Sequence, residues 1–301
     1  MKIIYYPGCS LRSTGRAYDL SVKAVCQALG VELLEPDGWV CCGSSPAYKL
    51  DRLLSLSLSA QNLNLAARER GDAQTEMITP CPYCFRRLKS AQVEIASSPD
   101  LQKEVEAALG EPYSGQVVVR NMLDFLANQI GLEAIRARVM RPLHGLQLVP
   151  YYGCALTRPP GLTGFDHPEN PQSMDRLLRA LGADVLDWNF KTECCGAGLS
   201  VNRPDVVVRL GRRILNQAHL AGAQAIALPC QLCQANLDLR QPAMLPADER
   251  MPVLFFTQLM GLAFDLPAEA LGLRHHVVDP RPLLEHSLPH PAQSSPAGAP
   301  A

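Results

Sequence analysis

Short apolar runs alternate along this chain with longer stretches in which apolar residues recur every three or four positions. Residues 3–6 form a run of the kind a buried strand makes. Residues 15–29 follow as a helix that Gly30 closes. Residues 31–34 read as a second strand. Leu53, Leu56, Ala60, Leu63 and Ala67 then mark one face of an amphipathic helix ending at Gly71, and residues 77–79 are a strand running into Pro80. The order returns later. Val207, Leu210, Ile214, Ala218 and Ala221 form the corresponding stripe, with Pro204 suited to its first turn and Gly222 to its stop. Residues 225–228 make the strand before Pro229. The region 85–148 reads as helical, a link between halves plus elements of the first; it carries 101–109, 117–119 and 122–130. From Asp279, prolines among Ser, Ala and His leave little to bury, so 279–301 is expected to be a disordered tail.

Strands alternating with helices predict an α/β fold in which each half is a small, mostly parallel sheet with flanking helices. The halves match in sequence as well as in order. Tyr5-Tyr6-Pro7-Gly8-Cys9 answers to Tyr151-Tyr152-Gly153-Cys154, Leu29-Gly30-Val31 to Leu181-Gly182-Ala183, and Thr79-Pro80-Cys81 to Leu228-Pro229-Cys230. A long repeat occurring twice indicates two homologous domains, 1–145 and 146–278. At 301 residues and 47% hydrophobic, the chain can build two cores. A net charge of −1 gives no footprint for nucleic acid. No apolar stretch is long enough for a signal peptide or a transmembrane segment, which predicts a cytoplasmic protein in a reducing compartment. Grouped cysteines there point to metal or redox chemistry.

Ten of the eleven cysteines fall into two matching sets: Cys9, Cys41, Cys42, Cys81 and Cys84, then Cys154, Cys194, Cys195, Cys230 and Cys233. Each set is a lone cysteine, a Cys-Cys-Gly doublet and a Cys-x-x-Cys pair. Five thiols cannot all pair as disulfides and exceed the four of structural zinc. Adjacent cysteines diverge, which suits two irons of one cluster better than one zinc ion. Soft thiolates select zinc, copper(I) or iron–sulfur, and iron–sulfur fits this pattern best. Cubane clusters use four cysteines, so the fifth is either a free reactive thiol or a ligand of an unusual cluster. In a parallel sheet these loops converge at the carboxyl ends of the strands. Cys26, on a helical stretch and without a counterpart, is a core residue.

Other candidates are weaker. Arg12, Arg16 and Arg158 follow the first cysteine of each half and could meet an anionic substrate, or line a solvated helix face. His144, His167 and His219 read as packed or surface histidines, and His275-His276 carries no assignment. Residues 166–171 form an insertion absent from the first half, the kind of loop that shapes a substrate site or an interface.

These motifs resemble the CCG (cysteine-rich domain) family, and within it the B subunit of heterodisulfide reductase. The resemblance rests on both cysteine sets, Tyr6-Pro7-Gly8-Cys9, Tyr152-Gly153-Cys154, residues 164–171 and Lys191-Thr-Glu-Cys-Cys-Gly196, and covers about residues 1–270. It implies that each quintet holds one noncubane 4Fe-4S cluster through all five cysteines, giving two clusters per chain. It implies a disulfide substrate cleaved between them, or thiol oxidation in reverse. No GxGxxG follows a strand and no ferredoxin run is present. Electrons would therefore come from partners, in the family subunits of the ferredoxin-like C type and the flavoprotein A type. Competing readings are an electron-transfer subunit of another oxidoreductase, such as a succinate dehydrogenase variant or a lactate or glycerol-3-phosphate oxidising complex, and, more remotely, a zinc-stapled interaction protein.

Overall fold

The computed structural model describes residues 1–44, 46–70, 75–115 and 117–287. Among them the strands form two four-stranded, wholly parallel sheets. The first contains β1 (Lys2–Tyr5), β2 (Glu32–Leu34), β3 (Thr75–Thr79) and β4 (Val117–Asn121), in the order β2-β1-β3-β4. The second contains β5 (Gln147–Pro150), β6 (Asp184–Val185), β7 (Ala225–Leu228) and β8 (Val253–Phe255), in the order β6-β5-β7-β8. The two orders are identical, so the duplicated α/β architecture expected from the sequence is present. Residues 117–119, grouped above with a helical link, instead begin an edge strand. Val117 and Val119 are buried and Val118 is exposed, the alternation of a strand with one covered face.

The helices of the first half are α1 (Arg16–Ala28), α2 (Pro46–Leu50), α3 (Arg52–Arg70), α4 (Pro82–Ala96), α5 (Pro99–Leu109), α6 (Met122–Asp124) and α7 (Leu132–Arg136). Those of the second are α8 (Pro160–Thr163), α9 (Ser173–Ala180), α10 (Pro204–Leu220), α11 (Gln231–Gln234), α12 (Phe256–Ala263) and α13 (Arg281–Ser287). The predicted stripe of α3 buries Leu56, Ala60 and Leu63, and that of α10 buries Val207, Ile214 and Ala218. Pro204 opens α10 and Gly222, at φ +80°, follows its end. Gly71, the expected stop of α3, lies outside the described residues. The expected tail is described to residue 287, and there it forms α13, whose Leu284 packs into the core.

The halves dock reciprocally. The helix after the fourth strand of the second half, α12, packs on α1 of the first. The helical stretch after β4, which includes π-helical turns at Phe125–Gly131, packs on α9 of the second. At the first contact Tyr18 stacks on Phe255 with ring centroids 4.4 Å apart, and Ser21 and Thr257 share a hydrogen bond of 2.7 Å. One buried apolar cluster runs through both halves. This docking places the two sets of strand ends against each other.

Candidate metal centres

Both sets grow from the same places. Cys9 and Cys154 follow the first strand of their sheet, and Cys81 and Cys230 follow the third. These strands are neighbours whose connections depart in opposite directions, the point where parallel sheets bind ligands. The doublets arrive on the loop after the second strand. The Tyr6 amide donates to the Ile78 carbonyl and the Tyr151 amide to the Ala227 carbonyl, each acceptor three residues before the Cys-x-x-Cys pair. Tyr6 therefore corresponds to Tyr151, and Tyr152 takes the place of Pro7. Both tyrosines do the same work. The Tyr6 hydroxyl donates to the Val40 carbonyl at 2.7 Å and that of Tyr151 to the Glu193 carbonyl at 2.6 Å, each just before its doublet.

The sulfurs gather accordingly. In the first set Cys9 and Cys41 Sγ lie 3.8 Å apart, Cys42 and Cys84 Sγ 3.3 Å, and the Cys84 amide donates to Cys81 Sγ at 3.4 Å. In the second set Cys195 and Cys233 Sγ lie 3.4 Å apart, the Gly196 amide donates to Cys194 Sγ at 3.3 Å, and Cys154 faces Cys194. In each set the first cysteine and the first of the doublet reach the surface, while the other three are buried. Each site is thus closed at its base and open at one edge. Cys26 is buried away from both, where burial raises its thiol to about 12, as a core residue requires.

Within each set the sulfurs share protons: Cys9, Cys42, Cys84, Cys154 and Cys233 are pushed up by their neighbours, while others are pushed down toward the thiolate, the form that binds metal. Cys41 is pushed well down by hydrogen bonds from Cys42 and Cys9 and from the Gly43 and Ser44 amides, against the opposing effect of burial. Cys194 is lowered to about 6, chiefly by Cys154 and then by the amides of Gly196 and Ala197. Cys81 falls to about 7 through Cys84 and then Gln231, and Cys195 is lowered by Cys233 and Asn236.

Side chains that the sequence motifs do not single out hold the doublet loops. Along α3, Ser55 donates to the Gly43 carbonyl at 2.8 Å, Ser59 to the Cys42 carbonyl at 2.9 Å, and Asn62 accepts from the Val40 amide at 2.9 Å. These three sit four and then three residues apart, a polar stripe beside the apolar one. In the second half Asn236 takes over, donating to the Cys195 carbonyl at 3.1 Å. The Cys-x-x-Cys turns also reach across. Gln231, inside the second turn, donates to Cys81 Sγ of the first set at 2.9 Å. Tyr83, inside the first turn, lies among Cys154, Cys230, Cys233 and Cys195; its own burial, and then their negative charge, hold its hydroxyl protonated.

The remaining candidates separate clearly. Arg12 pairs with Glu35 at the surface and Arg16 is exposed. Arg158 lies at the junction of the halves, donating to Glu169 at 2.6 Å and Thr192 at 3.2 Å. His144, His167 and His219 serve backbone groups. His276 is buried on Gln258, 3.9 Å from Asp238.

Glycine makes the room for sulfur. Gly8 and Gly153 hold φ of +74° and +69°, and a Cβ added there would stand 2.8 Å from Cys84 Sγ and 3.1 Å from Cys233 Sγ. Gly8, at ψ 163°, sits where essentially only glycine is at ease, so Gly8→Ala is expected to combine backbone strain of about 1–3 kcal/mol with displacement of Cys84. Gly30→Ala, at φ +70° with nothing within 4 Å, carries the strain alone. Loss of iron and sulfide in Gly8→Ala but not in Gly30→Ala isolates the crowding at sulfur; unchanged iron in both counts against it.

Among the described residues no group of His, Cys, Asp and Glu is arranged to hold a single metal ion. The sulfurs instead pair across each pocket, which suits a multinuclear centre. The cysteine-rich CCG domain model matches residues 3–89 and 148–238, the two halves. The chain is 33% identical to the 8-methylmenaquinol:fumarate reductase membrane anchor subunit of Wolinella succinogenes, over 91% of this chain and 96% of that protein. It is 28% identical to the B subunit of a ferredoxin/F420H2-dependent CoB-CoM heterodisulfide reductase from Methanosarcina acetivorans, over 92% and 94%. Among solved structures, a hypothetical protein from Helicobacter pylori shares the fold with a TM-score of 0.70 at 13% identity, over 92% of this chain and 52% of that one. No described helix is long and apolar enough to cross a membrane. With both halves matched, the chain belongs to the family of cysteine-rich CCG domains and is a homologue of the heterodisulfide reductase B subunit.

Proposed function

We propose that this chain is the iron–sulfur catalytic subunit of a heterodisulfide-reductase-like complex. In this reading each quintet, Cys9/Cys41/Cys42/Cys81/Cys84 and Cys154/Cys194/Cys195/Cys230/Cys233, holds one noncubane 4Fe-4S cluster. The observation that carries it is the pairing of two complete five-thiol sets whose Cys-x-x-Cys turns touch, through Gln231 and Cys81 at 2.9 Å. Reducing a disulfide takes two electrons and two protons and yields two thiols; the clusters would supply electrons singly and bind the product sulfurs. The protein's own share is to hold both sets at one junction, to keep three cysteines of each dry, and to leave the other two open to substrate. The electrons come from partner subunits of the ferredoxin-like C and flavoprotein A types, and the complex works in the cytoplasm.

Anaerobic purification with iron and sulfide analysis and EPR tests this. Two clusters per chain are expected, and stoichiometric zinc without sulfide sinks the reading. A second reading, an electron-transfer subunit of a quinol-linked reductase, is favoured by the 33% identity to the Wolinella protein. Reduction of a disulfide by the reduced, isolated chain separates the two.

Hydrogen bonds to cluster sulfurs raise reduction potential. Gln231→Leu removes the amide donor to Cys81 while leaving a side chain of similar reach. It is expected to lower the potential of the first cluster and leave the second within error in an EPR-monitored redox titration. Equal shifts of both count against a local bond.

A further inference from the structure

Tyr18 lies on the first turn of α1 and is fully buried, yet its hydroxyl has no hydrogen-bond partner. A buried phenol normally finds one, because leaving a buried hydroxyl unmet is costly. The four buried tyrosines at the ends of β1 and β5 all comply. Tyr5 donates to Asp19, Tyr6 to the Val40 carbonyl, Tyr151 to the Glu193 carbonyl and Tyr152 to Asp175.

Two contacts fix where the unmet hydroxyl sits, and both are with the second half. The Tyr18 ring stacks on Phe255, with planes 1° and centroids 4.4 Å apart, and meets Phe256 edge-on at 6.2 Å. Phe255 is in register with Leu228 at the end of β7, and Cys230 follows two residues later. One turn before Tyr18, a Cβ added to Gly15 would stand 2.9 Å from Gln231 Cβ. The start of α1 is therefore pressed against the second Cys-x-x-Cys turn. Burial, and then the negative charges of Cys230 and Cys81, keep the phenol protonated and so a donor. The two turns differ in what reaches their first cysteine. Cys81 Sγ accepts from the Cys84 amide and from Gln231. Cys230 caps its helix without such a bond, and among the described residues no amide or hydroxyl reaches its sulfur. The second turn thus has a sulfur without a donor next to a donor without an acceptor.

We propose that the Tyr18 hydroxyl is a hydrogen-bond donor from the first half to the sulfur of the second metal centre at Cys230. Gln231 and Tyr18 then form a reciprocal pair. Each half ligates its own centre and donates one hydrogen bond to the other's, so the docking of the halves sets both reduction potentials. That the centres are iron–sulfur clusters rests on the function proposed above; the assignment of this donor to the second set does not.

Tyr18→Phe keeps the stack on Phe255 and removes only the hydroxyl. In an EPR-monitored redox titration of the anaerobically purified full chain, it is expected to lower the potential of the second centre and leave the first within error, the mirror image of Gln231→Leu. It is also expected to release half of its metal, that of the second set, to a chelator about tenfold more readily than the wild type. The same comparison in Cys42→Ser, where only the second set is complete, assigns the half released. Unchanged potential and metal retention overturn the proposal, as do equal effects on both sets. An effect confined to the first set also overturns it, and would place a water between Tyr18 and the equally unpaired Gln231 Oε1. Zinc without sulfide refutes the cluster reading, and the chelator comparison then still judges the donor. A chain that retains no metal refutes both.

Discussion

Cys42→Ser is expected to remove the metal of the first half and leave that of the second, halving iron and acid-labile sulfide per chain. Cys42 is 2% exposed and its Sγ lies 3.3 Å from Cys84 Sγ. Its carbonyl is pinned by Ser59 and the following Gly43 carbonyl by Ser55, so the loop cannot shift to bring another donor into its place. A serine oxygen is a harder and less acidic donor than a thiolate, and iron–sulfur chemistry selects against it. The second set hangs from its own sheet and its own loops and keeps its ligands. Because metal binding free energy is also folding free energy, the variant should also melt at lower temperature. Cys26→Ser is the control. It puts a hydroxyl into a fully buried site at a cost of about 1–3 kcal/mol but touches neither set, so its iron content should equal that of the wild type. An unchanged EPR spectrum in Cys42→Ser refutes the assignment of the first quintet.

The parts of this molecule readable from its sequence are those written in local periodicity. The stripes of α3 and α10 bury the residues their spacing selects, and the two cysteine sets stand in register because each loop follows the same strand of a repeated sheet. What escaped depends on docking. Strand β4 alternates, Val117 in and Val118 out, but helical sequence on both sides swamps that signal. Tyr5-Tyr6 and Tyr151-Tyr152 look like one motif, but strand register pairs Tyr6 with Tyr151, since a doublet gives no phase by itself. Ser55, Ser59 and Asn62 form a visible polar stripe, yet nothing local says that a stripe faces a cysteine loop rather than water. Gln231 and Tyr18 are the least legible. A glutamine inside Cys-x-x-Cys reads as solvated, and a tyrosine on an amphipathic helix as plain core, until the second half is brought against the first.

Lys191→Met is expected to cost about 3–5 kcal/mol, the largest stability loss of any single charged-to-apolar change near the second set. The ammonium is 3% exposed and donates to Asp175 at 2.7 Å, Asn170 Oδ1 at 3.0 Å and the Pro171 carbonyl at 3.3 Å, which uses all three of its protons. Asp175, 1% exposed, takes its other hydrogen bond from the Tyr152 hydroxyl at 2.7 Å. The Lys191 carbonyl in turn accepts from the Tyr152 and Gly153 amides at 2.8 and 3.1 Å. One residue thus ties the insertion at 166–171, the turn before Cys154 and the loop before Cys194. Methionine keeps the stem but strands a buried carboxylate and the buried Pro171 carbonyl. In thermal unfolding the loss should read as about 2–4 °C per kcal/mol for a body of this size. The double variant Lys191→Met/Asp175→Leu removes both charges and should lose less than the two single changes added, with a coupling of about 0.5–3 kcal/mol. The exposed pair Arg203–Asp205, at 59% and 66%, sets the scale: Arg203→Ala should change stability by no more than about 0.5 kcal/mol. Were Lys191→Met to match it, the buried pair would have to be solvated, and the insertion would be free of the second cysteine set.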